Sequence, residues 1–166
     1  MVSISELFLA YLNSILQRLN IGNYFLSIVN YYRTYSNYID VLKGRVLNKF
    51  PIEGVLRDGK KILLKDQAIA YYYTIYYIKS KKLEINDSFM EFEYKGNIIR
   101  FYGWKYGDPA TPFAFNNYNF LNVKDKIVVD IGASIGDTAI YFALQGAKKV
   151  IAFEPFPKIF SIAKRI

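Results

Sequence analysis

The chain has no cysteine and no histidine among its 166 residues. Their absence excludes disulfide bonds, thiolate nucleophiles, zinc sites built from these ligands, and any Ser-His-Asp triad. Without cysteine the composition does not constrain the redox compartment, and a cytoplasmic location is the default expectation.

Long apolar runs are also lacking. Residues 1–19 have no early positive cluster, and their apolar positions are interrupted by Glu6, Asn13, Gln17 and Arg18. That pattern fits neither a signal peptide nor the roughly 20 apolar residues that a bilayer-spanning helix needs. We therefore expect no transmembrane segment.

The residues that are present are typical of a globular protein, with 52% hydrophobic, 22% charged and 18% aromatic side chains. The formal charge is +8, from 22 Lys+Arg against 14 Asp+Glu. Because the basic residues are scattered along the chain, we interpret them as solvated surface and expect no nucleic-acid partner.

Two helices are predicted at the N-terminus. Residues 4–19 place apolar side chains at helical spacing, and a second aromatic-rich stretch runs from about residue 24 to 42 and stops near Gly44. A helical hairpin that covers a core is the favoured interpretation. The alternative is a pair of helices that contacts a membrane surface or docks a partner.

The middle of the chain predicts two β-hairpins. Residues 52–65 surround an Asp58-Gly59 pair that suits a type I′ turn, and residues 88–102 alternate around Gly96-Asn97. Residues 67–79 are ambiguous, but Asp66 as a cap favours a helix. Residues 103–122 are predicted to be a loop-rich connector.

A β-α-β unit follows. Residues 126–131 form a β-branched strand that is apolar on both faces, as in a parallel sheet covered by helices. A glycine-rich turn leads into a helix over 138–145 that Gly146 ends, and residues 150–153 form the second strand.

The spacing within this unit indicates a nucleoside site. Gly132 and Gly136 allow the backbone to approach a ligand, and a helix that begins near Asp137 or Thr138 directs free N–H groups at the loop. Glu154 lies 22 residues after Gly132, where an acid at the end of the second strand accepts hydrogen bonds from ribose hydroxyls.

The identity of the nucleoside depends on the loop. Dinucleotide-binding loops have the pattern G-x-G-x-x-G, whereas this loop has Gly132-x-x-x-Gly136. Asp130 at the strand end would repel a pyrophosphate but could meet a ligand's ammonium group. These features favour S-adenosylmethionine, and a fragment of a dinucleotide-dependent oxidoreductase is the less favoured alternative.

Three segments carry a family resemblance. They are Asp130-Ile-Gly-Ala-Ser-Ile-Gly-Asp-Thr138, Tyr141-Phe-Ala-Leu-Gln-Gly-Ala147 and Ala152-Phe-Glu-Pro-Phe-Pro157. Together with the lead-in Tyr118-Asn-Phe-Leu-Asn-Val-Lys124, they resemble the start of FkbM-type S-adenosylmethionine-dependent methyltransferases. The resemblance is specific over about residues 118–166.

The resemblance implies an α/β fold: the start of a Rossmann-like class I methyltransferase domain at 123–166, after a helical and β-hairpin region at 1–122. It implies methyl transfer to a hydroxyl of a sugar or small molecule. Family members commonly have asparagine where Ser134 stands. The residues that would bind the cofactor are Asp130, Gly132, Ala133, Ser134, Gly136, Asp137, Thr138, Glu154 and Pro155.

Enzymes of this family have a seven-stranded sheet, whereas this sequence ends at Ile166 after the second strand of the unit. We therefore expect an N-terminal fragment without activity of its own, to which no catalytic residue or metal ligand is assigned. A partner chain that completes the sheet is part of this expectation. The alternative is a non-catalytic interaction module, or the remnant of a split or interrupted gene.

Overall fold

The computed structural model describes residues 22–80 and 82–165, and the predicted helix at 4–19 lies outside them. Contacts divide the chain into two compact units, Met1–Ala70 and Tyr71–Ile166. The predicted domain boundary at residues 122 and 123 rests on the family resemblance and stays a prediction.

The described residues form a mixed α/β structure with small sheets. The helices are α1 (Gly22–Thr34), α2 (Tyr38–Val46), α3 (Gln67–Tyr76), α4 (Asp137–Leu144) and α5 (Pro157–Ala163). The strands are β1 (Ile52–Val55), β2 (Lys61–Leu64), β3 (Leu83–Ile85), β4 (Phe89–Tyr94), β5 (Asn97–Tyr102), β6 (Ile127–Ile131) and β7 (Lys149–Phe153). No helix within 22–80 or 82–165 is long and apolar enough to cross a membrane.

The helical stretch predicted at 24–42 is interrupted between α1 and α2. The Asn37 side chain binds the backbone of β1, donating to the Glu53 carbonyl at 2.9 Å and accepting from the Val55 amide at 2.8 Å. The Ser36 amide also donates to the Val55 carbonyl, at 2.7 Å. These residues therefore pair with a strand instead of continuing the helix.

Gly44 does not end α2, as the sequence predicted, but lies inside it. A Cβ at this position would lie 1.7 Å from Ile52 Cδ1. Glycine suits this position because α2 packs closely against β1. The cause is a tertiary contact, although in the sequence it resembles a helix stop signal.

The predicted hairpin at 52–65 is confirmed, with β1 and β2 antiparallel. The type I′ turn is wrong, because Gly59 has a positive φ of 86° whereas Asp58 does not. The Gly59 amide donates to the Leu56 carbonyl and the Leu56 amide to the Lys60 carbonyl, both at 2.9 Å. Residues 57–59 therefore form a three-residue hairpin loop, in which a turn is followed by a glycine in the left-handed conformation.

The helix favoured at 67–79 is confirmed as α3, and so is its cap. The Ile69 amide donates to Asp66 Oδ1 at 2.8 Å, which satisfies a free N–H group of the first turn. Of the aromatic side chains that made the segment ambiguous, Tyr72, Tyr73 and Tyr76 are buried and Tyr71 is exposed.

The predicted hairpin at 88–102 is confirmed as β4 and β5, and β3 adds a strand that was not predicted. The turn lies one residue earlier than expected. Lys95 and Gly96 have φ angles of 50° and 78°, so they form the type I′ turn, and Asn97 already belongs to β5.

An aromatic core organises the second unit around Phe113. This buried residue lies in a π-helical turn (Ala110–Ala114) inside the predicted connector. Its ring centroid lies 5.3 Å from Phe92 and 5.7 Å from Phe101, both in the β3–β5 sheet. It lies 5.5 Å from Tyr141 of α4. Phe113 thus joins the sheet to the β-α-β unit.

We expect Phe113→Ala to lower the free energy of unfolding of this unit by about 3–5 kcal/mol, because it empties a packed aromatic site. Phe115→Ala is the control, since that side chain is 50% exposed, and it should cost less than about 1 kcal/mol. Urea unfolding followed by the fluorescence of buried Trp104 measures both variants. Equal losses would contradict a core centred on Phe113.

Candidate functional site

The strands of the β-α-β unit are parallel, as predicted. In the β6–β7 register Asp130 faces Ala152 and Ile131 faces Phe153. The carboxyl ends of both strands therefore lie at one edge, where the glycine turn follows β6 and Glu154 follows β7. This shared edge is the candidate site.

The turn after β6 is tied to the end of β7. The amides of Gly132 and Ala133 donate to the Phe153 carbonyl at 2.9 and 3.0 Å. Gly132 and Gly136 have φ angles of 81° and 85°, which favour glycine, and Ser134 has a φ of 49°. Asparagine, aspartate and glycine are the residues most often found at such angles, and serine takes one here.

Glu154 is held against this turn. The Ser134 amide donates to Glu154 Oε2 at 2.9 Å, and the Phe156 amide donates to Glu154 Oε1 at 2.9 Å. A carboxylate oxygen has two lone pairs, so each oxygen retains one for a ligand hydroxyl. The backbone thus fixes the carboxylate in place.

Asp130 is oriented by the start of α4. Thr138 Oγ1 donates to Asp130 Oδ2 at 2.6 Å, and Asp130 is half-buried at the end of β6. A charge-assisted bond of this length holds the carboxylate at the edge of the turn. Two residues predicted to bind the cofactor are therefore in direct contact with each other.

The Asp137 carboxylate binds backbone amides at the start of α4 and in the preceding connector. Asp137 is buried, and its carboxylate accepts hydrogen bonds from the amides of Asp108 at 2.9 Å and Thr138 at 3.0 Å. These bonds anchor the preceding connector to the start of α4. Binding of the cofactor by Asp137 stays a prediction.

The remaining predicted residues take different positions. Ala133 is buried and lines the cavity described below, whereas Pro155 is exposed directly after Glu154. Gly136 is buried where α4 begins. Ala133 and Gly136 line the cavity beside the candidate site, and Pro155 does not.

Sequence reasoning missed the segment that packs against the turn. Ser134 Oγ donates to the Tyr106 carbonyl at 2.9 Å, and a Cβ on Gly107 would lie 2.5 Å from Ile135 Cγ1. We predicted this segment as a connector alone. Its density of aromatic and glycine residues, Gly103-Trp-Lys-Tyr-Gly-Asp108, was the available signal of close packing.

A cavity of about 210 Å³ opens beside the candidate site, between α4, β7 and α5. Ser134 and Glu154 contribute polar atoms, and the rest of its lining is mainly apolar, including Ile140, Ala152 and Phe160. An apolar cleft with a few fixed polar groups is typical of small-molecule sites.

The other face of the strand pair is open among the described residues. Ile127, Val129 and Ile131 alternate along β6 and are exposed, with Ile131 at 84%. The prediction that helices cover both faces therefore does not hold in the part of the chain that the structure describes.

Comparisons with known proteins identify no family. No protein-family model and no solved structure matches the chain. The chain is similar to Uncharacterized protein 158B of Sulfolobus islandicus rod-shaped virus 1, at 49% identity over 47 residues. These residues are 28% of this chain and 30% of the viral protein, so the chain spans less than a third of that relative.

Burial raises the pKa of Asp137, although its bonds to backbone amides oppose the shift. A carboxyl whose pKa is raised by folding holds its proton more tightly in the folded chain. The free energy of unfolding therefore falls as the pH rises from the unfolded-state pKa, about 3.9, to the folded pKa.

We expect Asp137→Asn to remove this decrease in the free energy of unfolding with rising pH. Urea unfolding of the wild type and the variant at a series of pH values, followed by Trp104 fluorescence, measures the difference. Parallel pH profiles for the two proteins would show that Asp137 titrates alike in the folded and unfolded chain.

Proposed function

We propose that residues 123–166 are the S-adenosylmethionine-binding start of a Rossmann-like methyltransferase domain, whose enzyme methylates a hydroxyl of a sugar or other small molecule. The observation that carries the proposal is the 2.9 Å bond from the Ser134 amide to Glu154 Oε2. It brings the glycine turn and the acid together at the carboxyl edge of parallel strands, where open α/β sheets bind ligands.

The charges at this edge suit a cationic nucleoside. The Glu154 carboxylate matches ribose hydroxyls, and the Asp130 carboxylate matches an ammonium group. The start of α4 adds a partial positive charge that suits the ligand's carboxylate. A pyrophosphate would instead meet Asp130 at the strand end.

The chemistry assigned to these residues is binding and orientation. Methyl transfer breaks the bond from the sulfonium sulfur to the methyl carbon and leaves S-adenosylhomocysteine. It forms a bond from that carbon to the acceptor oxygen, whose proton passes to a general base or to water. Holding the two reactants in line contributes several kcal/mol to such a reaction. Glu154 and Asp130 would serve this step by fixing the nucleoside and methionine ends of the cofactor.

The open face of β6 favours a second candidate, a module that associates with another chain. Exposed apolar strand faces are energetically costly, and a protein that covers Ile127, Val129 and Ile131 would remove that cost. This function requires no ligand at the glycine turn, which makes the two candidates separable.

Thermal-shift titration distinguishes the candidates. S-adenosylmethionine and S-adenosylhomocysteine should raise the melting temperature, because a ligand that binds the folded state stabilises it by mass action, whereas NAD should not. A shift with NAD alone would favour a dinucleotide enzyme. The absence of any shift would favour the association module.

We expect Glu154→Ala to weaken S-adenosylmethionine binding by about 1–3 kcal/mol, the cost of leaving polar groups unpaired. Glu53→Ala is the control, since Glu53 is an exposed residue of β1 paired with Lys61, and it should leave the affinity unchanged. Isothermal calorimetry measures both. Wild-type affinity in Glu154→Ala would exclude Glu154 as the ribose partner.

A further inference from the structure

Tyr106 contacts the glycine turn through its backbone, and the proposed function does not use its side chain. Tyr106 ends a short 3-10 turn (Trp104–Tyr106) in the segment before the β-α-β unit. Its side chain is 53% exposed. The contacts of this half-exposed ring therefore bear on the candidate site.

The backbone of Tyr106 is fixed to the candidate site. Its carbonyl accepts the Ser134 hydroxyl at 2.9 Å, and the next residue, Gly107, packs closely on Ile135. The Asp108 amide then binds the buried Asp137 carboxylate at 2.9 Å. Three successive residues are therefore attached to the turn between 134 and 137.

The ring of Tyr106 contacts Lys158. Lys158 Nζ lies 3.2 Å from the Tyr106 hydroxyl and 5.1 Å from the ring centroid. Lys158 is in the first turn of α5, four residues after Glu154. Ser134 bonds to both Glu154 and Tyr106, so it links the proposed ribose-binding carboxylate to the turn that carries Tyr106.

We propose that Tyr106 is a binding residue of the nucleoside site, with its ring stacked on the adenine base while Glu154 holds the ribose. The inference rests on the proposed function. A base extends from the ribose and presents a flat π-face, for which an aromatic ring is the usual protein partner. A residue whose backbone is already bonded to the site adds affinity because less conformational freedom is lost on binding.

Phe156 is the competing aromatic residue. It is 66% exposed and follows Glu154 closely, with its amide bonded to that carboxylate. Tyr106 is preferred because its carbonyl is bonded to Ser134 of the turn and its hydroxyl contacts Lys158. The experiment must therefore test the two aromatic residues side by side.

The experiment is calorimetric titration of the full chain with S-adenosylhomocysteine. We expect Tyr106→Ala and Tyr106→Leu to raise the Kd about tenfold, the effect of losing one base–aromatic stack, whereas Tyr106→Phe should stay within about threefold. The leucine and phenylalanine variants both keep an apolar side chain of similar size. A difference in Kd between them would therefore show that an aromatic ring is required, even if the alanine variant does not fold. Phe115→Ala is the matched control, an aromatic ring 50% exposed beside Lys79.

A second ligand separates stacking from distortion of the turn. 5′-Methylthioadenosine retains the base and ribose but lacks the amino-acid end. Loss of a stack should weaken both ligands by the same factor. A loss confined to S-adenosylhomocysteine would mean that the substitution disturbs the glycine turn, and it would overturn the inference.

The remaining outcomes are distinct. Unchanged affinity in Tyr106→Ala and Tyr106→Leu, with binding by the wild type, would overturn the role of Tyr106 and leave the proposed function standing. A loss in Phe156→Ala alone would assign the base to that residue instead. A wild-type chain that binds neither ligand would overturn the proposed function and this inference together.

Discussion

The second unit depends on the packing of Phe113 between a sheet and a helix. Its ring contacts Phe92 and Phe101 on one side and Tyr141 on the other. Because Tyr141 belongs to α4, this contact fixes the helix that follows the glycine turn. The geometry of the candidate site therefore depends on apolar burial some distance from any polar group that would bind a ligand.

The features that could be predicted are those with local causes. Asp66 caps α3 because its carboxylate reaches an amide three residues on, and Gly146 follows α4 with a φ of 90° that few other residues adopt. The β-branched strand and its glycine turn are equally local. They were enough to predict the parallel pair and the position of Glu154 at its edge.

The features that could not be predicted have causes distant in sequence. Asp137 binds the backbone of Asp108, 29 residues earlier, and Gly44 is explained by Ile52 of β1. Nothing in the neighbouring residues encodes either partner. The same holds for Tyr106. Its contacts with Ser134 and Lys158 place the predicted connector against the candidate site.

The open face of β6 makes the stability of the second unit depend on whether another surface covers that face. Burying a side chain such as Ile127, Val129 or Ile131 contributes about 1.5–3 kcal/mol, and the net stability of a whole domain is about 5–15 kcal/mol. A surface that covers these side chains would therefore supply a large share of that total. The apparent melting temperature would then depend on the concentration of whatever covers the face, so that folding and association form one equilibrium.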